Sequence, residues 1–247
     1  MPSRTARVAL VTGLTAALAG CAGTSGPRYG MPAPATKQTE STLHLWQGVM
    51  IVAIVLGALV WGLILWSVFR YRKQRGDETI PVQTRYHAPI EVAYTIIPVL
   101  IVAVLFGFVV RAQNRIDHTV KNPLVTVKVE GFQWGWRFTY LRNDGTAIGA
   151  PIVGNEDPYP TLTVPAGETV RLILVSDDVD HSFYVPDFLF KRDLIQGVDN
   201  KVDIFVKKAG TFEGHCAEFC GLLHARMNFF VQAVPLNQFR FPSGAAP

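Results

Sequence analysis

Hydrophobic positions divide the chain into three long apolar runs and then a region of short alternating ones. The first run, Val8 to Gly20, follows Arg4 and Arg7 and ends in "LAGC" at Cys21. It is too short to span a bilayer and has the plan of an export signal. The second lies between Gly48 and Trp66, 19 residues without a charged or strongly polar side chain. At helical rise this is roughly 28 Å, close to the hydrocarbon thickness of a membrane. Trp46 and Trp66 suit its two interfaces. The third runs from about Pro89 to Val110 and contains Pro98, which should kink a helix but is tolerated in a membrane span. After Asn122 come short β-rich runs, "LVTVKVEGFQWGWRFTY", "TLTVPAGETVRLILVS", "KVDIFVKKAGTF" and "MNFFVQAVP", parted by turn signals such as "NDG" and "PAG". That rhythm predicts a β-sandwich or small barrel.

The predicted organisation is an export signal at 1–20, a flexible tether at 21–44, membrane helices at 45–69 and 89–111 joined by a loop at 70–88, an all-β domain at 117–235 and a tail at 236–247. The loop holds Arg70, Arg72, Lys73, Arg75 and Arg85, so the positive-inside rule makes it cytoplasmic. The mature N-terminus and everything after Arg111 then face outside. "LAGC" resembles the bacterial lipobox, in which the cysteine, here Cys21, is lipidated and becomes the mature N-terminus; the alternative is an ordinary signal peptide cleaved elsewhere. A lipid on Cys21 requires the outer side, as the loop charge does.

Charge narrows the function. The formal net charge is +4, but the residues through Ile116 hold 11 Lys/Arg against 4 Asp/Glu and the remainder 12 against 15, giving +7 and −3. A nucleic-acid binder would not be split this way. The outer half includes Glu156, Asp157, Asp177, Asp178 and Asp180, which suit a partner with a basic docking face. Three cysteines make no disulfide framework.

The chemistry is concentrated in "GHCAEFCGLLHARM", residues 214–227. As a helix, Cys216, Cys220, His224 and Met227 would share a face, but the first and last would be roughly 16 Å apart along the axis, too far for one metal centre. Gly214 and Gly221 and the strand-like flanks favour a loop. In a loop, two thiolates select copper, zinc or iron–sulfur, and a nearby thioether favours copper. His181, in "DDVDHSFYVPDF", offers a further ligand. The set is that of a mononuclear blue-copper site plus one cysteine, which places two sulfurs to bridge two metals.

The pattern C-x-E-x-C-x3-H-x2-M with the upstream "DHSF" resembles the CuA centre of cytochrome c oxidase subunit II, and the resemblance extends to the helical hairpin, "EGFQWGWRF" and "HSFYVPDF". It implies a two-helix transmembrane hairpin followed by an all-β cupredoxin-like domain. It further implies a binuclear copper centre bridged by Cys216 and Cys220. His181 and Met227 would complete one copper; His224 and the backbone carbonyl of Glu218 would complete the other. The Glu218 side chain would help hold a magnesium ion shared with subunit I. Trp134 matches the aromatic electron-entry residue, with core packing as the alternative; the family often has an aromatic where this chain has Gly135. Glu91 matches an acid near the entrance of a proton-uptake path, or is a helix-start carboxylate stabilised by the dipole. Asp178 would shape the donor surface or be a solvated turn acid.

The function implied is electron transfer from a cytochrome c to the haem of subunit I, where oxygen reduction is coupled to proton pumping. The partners implied are subunits I and III, a soluble or membrane-bound cytochrome c, and membrane lipid, in a bacterial plasma membrane with the copper domain on its outer face. No C-x-x-C-H occurs, so the donor haem lies on a separate chain. A purely structural subunit of the quinol-oxidase kind would lack the ligands. A copper carrier or redox-sensing dithiol would not need His181 or the hairpin. The additional large domain of nitrous-oxide reductase has no room here.

Overall fold

The computed structural model describes residues 27–73, 76, 80 and 82–242. The export signal, Cys21 with its expected lipid, Arg75 and the end of the tail fall outside these residues. The chain divides into two units, one of residues 44–112 and one combining the segments on either side of it.

The first unit is built on two helices, α1 (Glu40–Arg70) and α2 (Ala88–Asp117), both long and apolar enough to cross a membrane. Their ends differ from the expected bounds because polar residues extend each helix. At the start of α1, Thr42 and Leu43 donate their backbone N–H groups to the Thr39 carbonyl, Ser41 Oγ donates to the Gln38 carbonyl, and Glu40 lies in the first turn, where the dipole favours an acid. At the end of α2, Gln113 and Asp117 hydrogen-bond one turn apart at 2.8 Å. α2 continues through Pro98. At its start the Glu91 carboxylate accepts the His87 N–H at 2.9 Å.

The second unit is a β-domain of two five-stranded sheets. The first sheet comprises β1 (Val125–Phe132), β2 (Gly135–Leu141), β3 (Ile152–Gly154), β5 (Thr169–Ser176) and β8 (Asn200–Phe205), in the order β3-β2-β1-β5-β8. The second comprises β4 (Thr161–Ala166), β6 (His181–Val185), β7 (Phe190–Leu194), β9 (Gly210–Cys216) and β10 (Asn228–Pro235), in the order β4-β10-β9-β6-β7. β1 pairs with β5, and β10 with β4, in parallel; the other pairs are antiparallel. The expected alternation appears as alternating burial: Val170, Leu172 and Leu174 of β5 are buried while their neighbours are half-exposed. Trp136 and Phe138 of the first sheet meet Phe183 and Phe229 of the second, with Trp136 edge-on to Phe229 at 4.8 Å and Phe183 stacked on it at 4.8 Å. β3, β6 and β7 lie outside the strand-like runs of the sequence: β3 is only three residues long, β6 sits in "DDVDHSFYVPDF", which mixes turn and strand residues, and β7 ("FKRDL") carries three charged residues in five.

The segment before α1 does not behave as a free tether where it is described. Thr36 bridges Val206 beyond the edge strand β8, Lys37 donates its N–H to the Phe205 carbonyl, and Gln38 Oε1 accepts the Phe205 N–H. Thr36 and Thr39 are fully buried. The segment thus covers an edge that would otherwise display unpaired backbone groups. The residues after α2 are held by the same strand. Asp203 of β8, buried, takes the Arg171 guanidinium in two hydrogen bonds of 2.8 and 2.9 Å and accepts the Val120 N–H at 2.7 Å.

Asp203→Ala leaves the Val120 amide without its acceptor and Arg171 with only the Val120 carbonyl. Because Arg171 retains some solvent contact, a loss of about 2–3 kcal/mol is expected rather than the larger cost of a fully buried unpaired charge. Chemical denaturation of the outer domain measures it; an unchanged midpoint would contradict this role for the clamp.

Candidate metal centre

The centre lies at one end of the second sheet, where three chain segments converge. β6 and β9 pair with Phe183 opposite Cys216, which sets His181 and Cys216 on the same core-facing side. Beyond Cys216 the chain forms a loop rather than a helix, with a short 3-10 turn at His224–Arg226 before β10. The Cys216 N–H donates to the Met227 carbonyl at 3.0 Å and the Ala217 N–H to the Ser182 carbonyl at 3.1 Å, closing both ends of the loop against its neighbours. Gly221 has φ of +116°, and a Cβ there would stand 3.1 Å from the Trp134 ring, so the turn needs glycine on both counts.

Six sequence-predicted ligand positions meet here. Cys216 Sγ lies 3.8 Å from Cys220 Sγ, 3.8 Å from His181 Nδ1 and 3.2 Å from the Glu218 carbonyl. Cys220 Sγ lies 3.5 Å from His224 Nδ1 and 3.8 Å from Met227 Sδ. The donor atoms of His181, Cys216 and Cys220 are within 4.8 Å of one another. His181, both cysteines and Met227 are buried, and the thiols are free. Two sulfurs, two imidazole nitrogens, a thioether and a carbonyl, each a few ångströms from the next, fit the requirements of copper.

Burial alone would push both thiols up. At Cys216, hydrogen bonding to His181, to the backbone of Ser182 and Glu218 and to His224 outweighs burial and brings it down to about 7 from an ordinary 9.0. At Cys220, burial and the neighbouring Cys216 charge act together and push it up to about 12. Burial lowers His181, but its hydrogen bonds to Cys216 and Asp178 outweigh this and raise it.

Around this cluster lie residues with roles the sequence did not reveal. Gln133 Nε2 and Trp134 Nε1 both donate to the Cys220 carbonyl, at 2.8 and 3.0 Å, and Trp136 Nε1 donates to the Met227 carbonyl at 3.2 Å. Trp134 is half-buried and therefore part of the site's wall as well as of its surface. The half-exposed Glu218 side chain lies 3.7 Å from Lys191 Nζ. Glu91 belongs to the helical unit and is not part of this cluster. The acids expected to form a docking field are largely engaged: Glu156 pairs with Arg226 at 3.3 Å, Asp177 with Arg137 at 2.9 Å, and Asp178 with His181. The loop instead exposes two apolar side chains, Phe219 at 78% and Leu222 at 86%.

Fold and site together define a membrane-anchored β-domain with a candidate soft-ligand metal centre. Residues 125–234 match the family model for cytochrome c oxidase subunit II, periplasmic domain, and residues 25–110 match that for its transmembrane domain. The probable cytochrome c oxidase subunit 2 of Streptomyces avermitilis is 40% identical, with 97% of this chain and 87% of that protein covered. Cytochrome c oxidase subunit 2 of Mycobacterium tuberculosis (strain H37Rv) is 33% identical, with 95% and 79% covered. A solved structure, the periplasmic domain of subunit II of cytochrome oxidase of Bradyrhizobium japonicum, is 29% identical over 47% of this chain and 88% of that one, with a TM-score of 0.40. The chain belongs to the cytochrome c oxidase subunit II family.

The unequal thiols give a direct prediction. In the metal-free, reduced protein, thiolate ultraviolet absorbance should develop in one step near pH 7, with the second thiol resisting ionisation well above the ordinary range. Cys216→Ser should remove the low step. Two coincident steps near the ordinary thiol value would contradict this geometry.

Proposed function

We propose that this chain is the electron-transfer subunit of an oxygen-reducing oxidase and that the buried cluster holds a binuclear copper centre of the CuA kind. The observation that carries the reading is the convergence of two thiols, two imidazoles, a thioether and a carbonyl where the cysteine loop meets β6. Cys216 and Cys220 would supply thiolates to both metals, with His181 and Met227 as further donors to one and His224 and the Glu218 carbonyl to the other. A bound copper pair supplies a one-electron carrier whose charge is shared over both metals. The protein's part is to hold the donors still. Residues of β6, β9 and β10 position them, and the aromatic core beneath them excludes water, so little rearrangement accompanies a change of charge.

Trp134 is the proposed entry point for electrons from a cytochrome c, soluble or membrane-bound. Its support is the hydrogen bond from its indole to the Cys220 carbonyl, which puts a half-buried aromatic one contact from a bridging cysteine. The electron leaves for the haem of subunit I, where oxygen reduction and proton pumping belong. Glu218 is proposed to help hold a magnesium ion shared with subunit I, and Glu91 to lie near a proton-uptake entrance. Subunit III, a lipid on Cys21, and a bacterial plasma membrane with this domain on its outer face complete the proposed assembly.

Copper loading tests the reading. The full chain should take up two coppers and, in the mixed-valence form, give an EPR hyperfine pattern from two equivalent nuclei. Cys216→Ser or Cys220→Ser should abolish that pattern, and Met227→Leu should keep both metals while moving the potential, since axial ligands tune more than they hold. A mononuclear copper signal from the unaltered chain would contradict the binuclear reading.

Replacing the entry aromatic gives a separate test. Trp134→Ala should slow electron entry from a cytochrome c while leaving the copper spectrum in place. Normal entry in that variant would move the entry point elsewhere.

A further inference from the structure

Asp178 changes most between sequence and structure. Read from the sequence it is a docking acid or a solvated turn residue. In the fold its Oδ1 lies 2.8 Å from His181 Nε2 and accepts the Val179 N–H at 2.7 Å, while its Oδ2 accepts the Gln133 N–H at 2.7 Å. Both oxygens are therefore engaged, and the side chain is only 32% exposed.

The imidazole it faces is fully buried, and its other nitrogen, Nδ1, points toward Cys216 Sγ at 3.8 Å. A ring held between a carboxylate and a metal-binding thiol has one productive tautomer, with the proton on Nε2 and the lone pair on Nδ1. Gly131 makes the space for the ring, since a Cβ there would stand only 3.0 Å from it. Gln133 extends the contact, since its backbone is held by Asp178 and its side chain holds the Cys220 carbonyl at 2.8 Å. One carboxylate thus links the histidine of β6 to the cysteine loop through the β1–β2 turn.

We propose that Asp178 is a positioning residue for the metal centre: it fixes the ligating tautomer of His181 and lowers the reduction potential of the bound copper. This rests on the copper-centre reading. A carboxylate that accepts the imidazole N–H makes the ring a stronger donor, and its negative charge favours the oxidised, more positive form of the metal. An acid acting only in docking would alter encounter with the donor and leave the potential where it was.

The test compares the full-length chain with Asp178→Asn and Asp178→Glu after copper loading. In Asp178→Asn both coppers should bind, and the one-electron equilibrium should move about tenfold toward the reduced form, which is about 59 mV for a one-electron couple. Asp178→Glu should restore much of the original value by restoring the charge. An unchanged potential in Asp178→Asn with copper bound would overturn the proposal while leaving the copper reading intact. Failure of the unaltered chain to bind a copper pair would overturn both. A second measurement needs no variant: in the metal-free protein, at a pH high enough that the imidazoles are neutral, nitrogen-15 resonances of the histidine rings should show the neutral His181 protonated on Nε2, and a neutral ring protonated on Nδ1 instead would overturn the tautomer assignment.

Discussion

The pairing of Phe183 with Cys216 across β6 and β9 is the contact on which the rest depends. Side chains alternate faces along a strand, so this register turns Cys216 and His181 to the core side, while His215 and Tyr184 pack together on the other. A slip of one residue would leave His181 facing inward and carry Cys216 outward. The short ladder is reinforced where the loop begins and ends, by Ala217 on Ser182 and by Cys216 on Met227. Below it, Phe183, Phe229 and Trp136 pack as one aromatic block joining the two sheets. The cysteine loop is therefore closed onto the aromatic core of the domain, although loops are ordinarily the mobile parts of a fold.

A second constraint follows from burial. Sulfur donors tolerate a dry pocket, but backbone carbonyls at a turn do not. The Cys220 carbonyl is satisfied by Gln133 and Trp134, and the Met227 carbonyl by Trp136 as well as by the Cys216 amide. Each donor satisfies a polar group and at the same time fixes a candidate ligand. The "FQWGW" stretch of the first sheet thus serves the site in the second, and its tryptophans are both core and wall.

The two apolar spans and the β rhythm were legible because they rest on local pattern, and the ligand set was legible because its residue types are chemically unusual together. What remained hidden was tertiary. Residues 33–39, with their Pro, Ala and Thr content, read as a tether, yet they cover the edge strand β8 through backbone hydrogen bonds that composition does not encode. Asp177, Asp178 and Glu156 read as a negative field, yet Arg137, His181 and Arg226 engage them across 40, 3 and 70 positions of sequence. Gln133 carried no signal of its own; its role exists only because the β1–β2 turn meets the cysteine loop. Helix ends were misplaced by several residues because polar first and last turns lack the apolar pattern that marks a span.

The central claim is that the protein, rather than the metal, sets the geometry of this centre. The most direct measurement is a pair of high-resolution crystal structures of the reduced protein, metal-free and copper-loaded, superimposed on the two sheets. The account predicts that the backbone of residues 214–228 and the His181 ring coincide in both, with the sulfur and nitrogen donors shifting only enough to close on the metals. A loop that is disordered or differently folded without copper would contradict it, and would make the metal the organiser of the site.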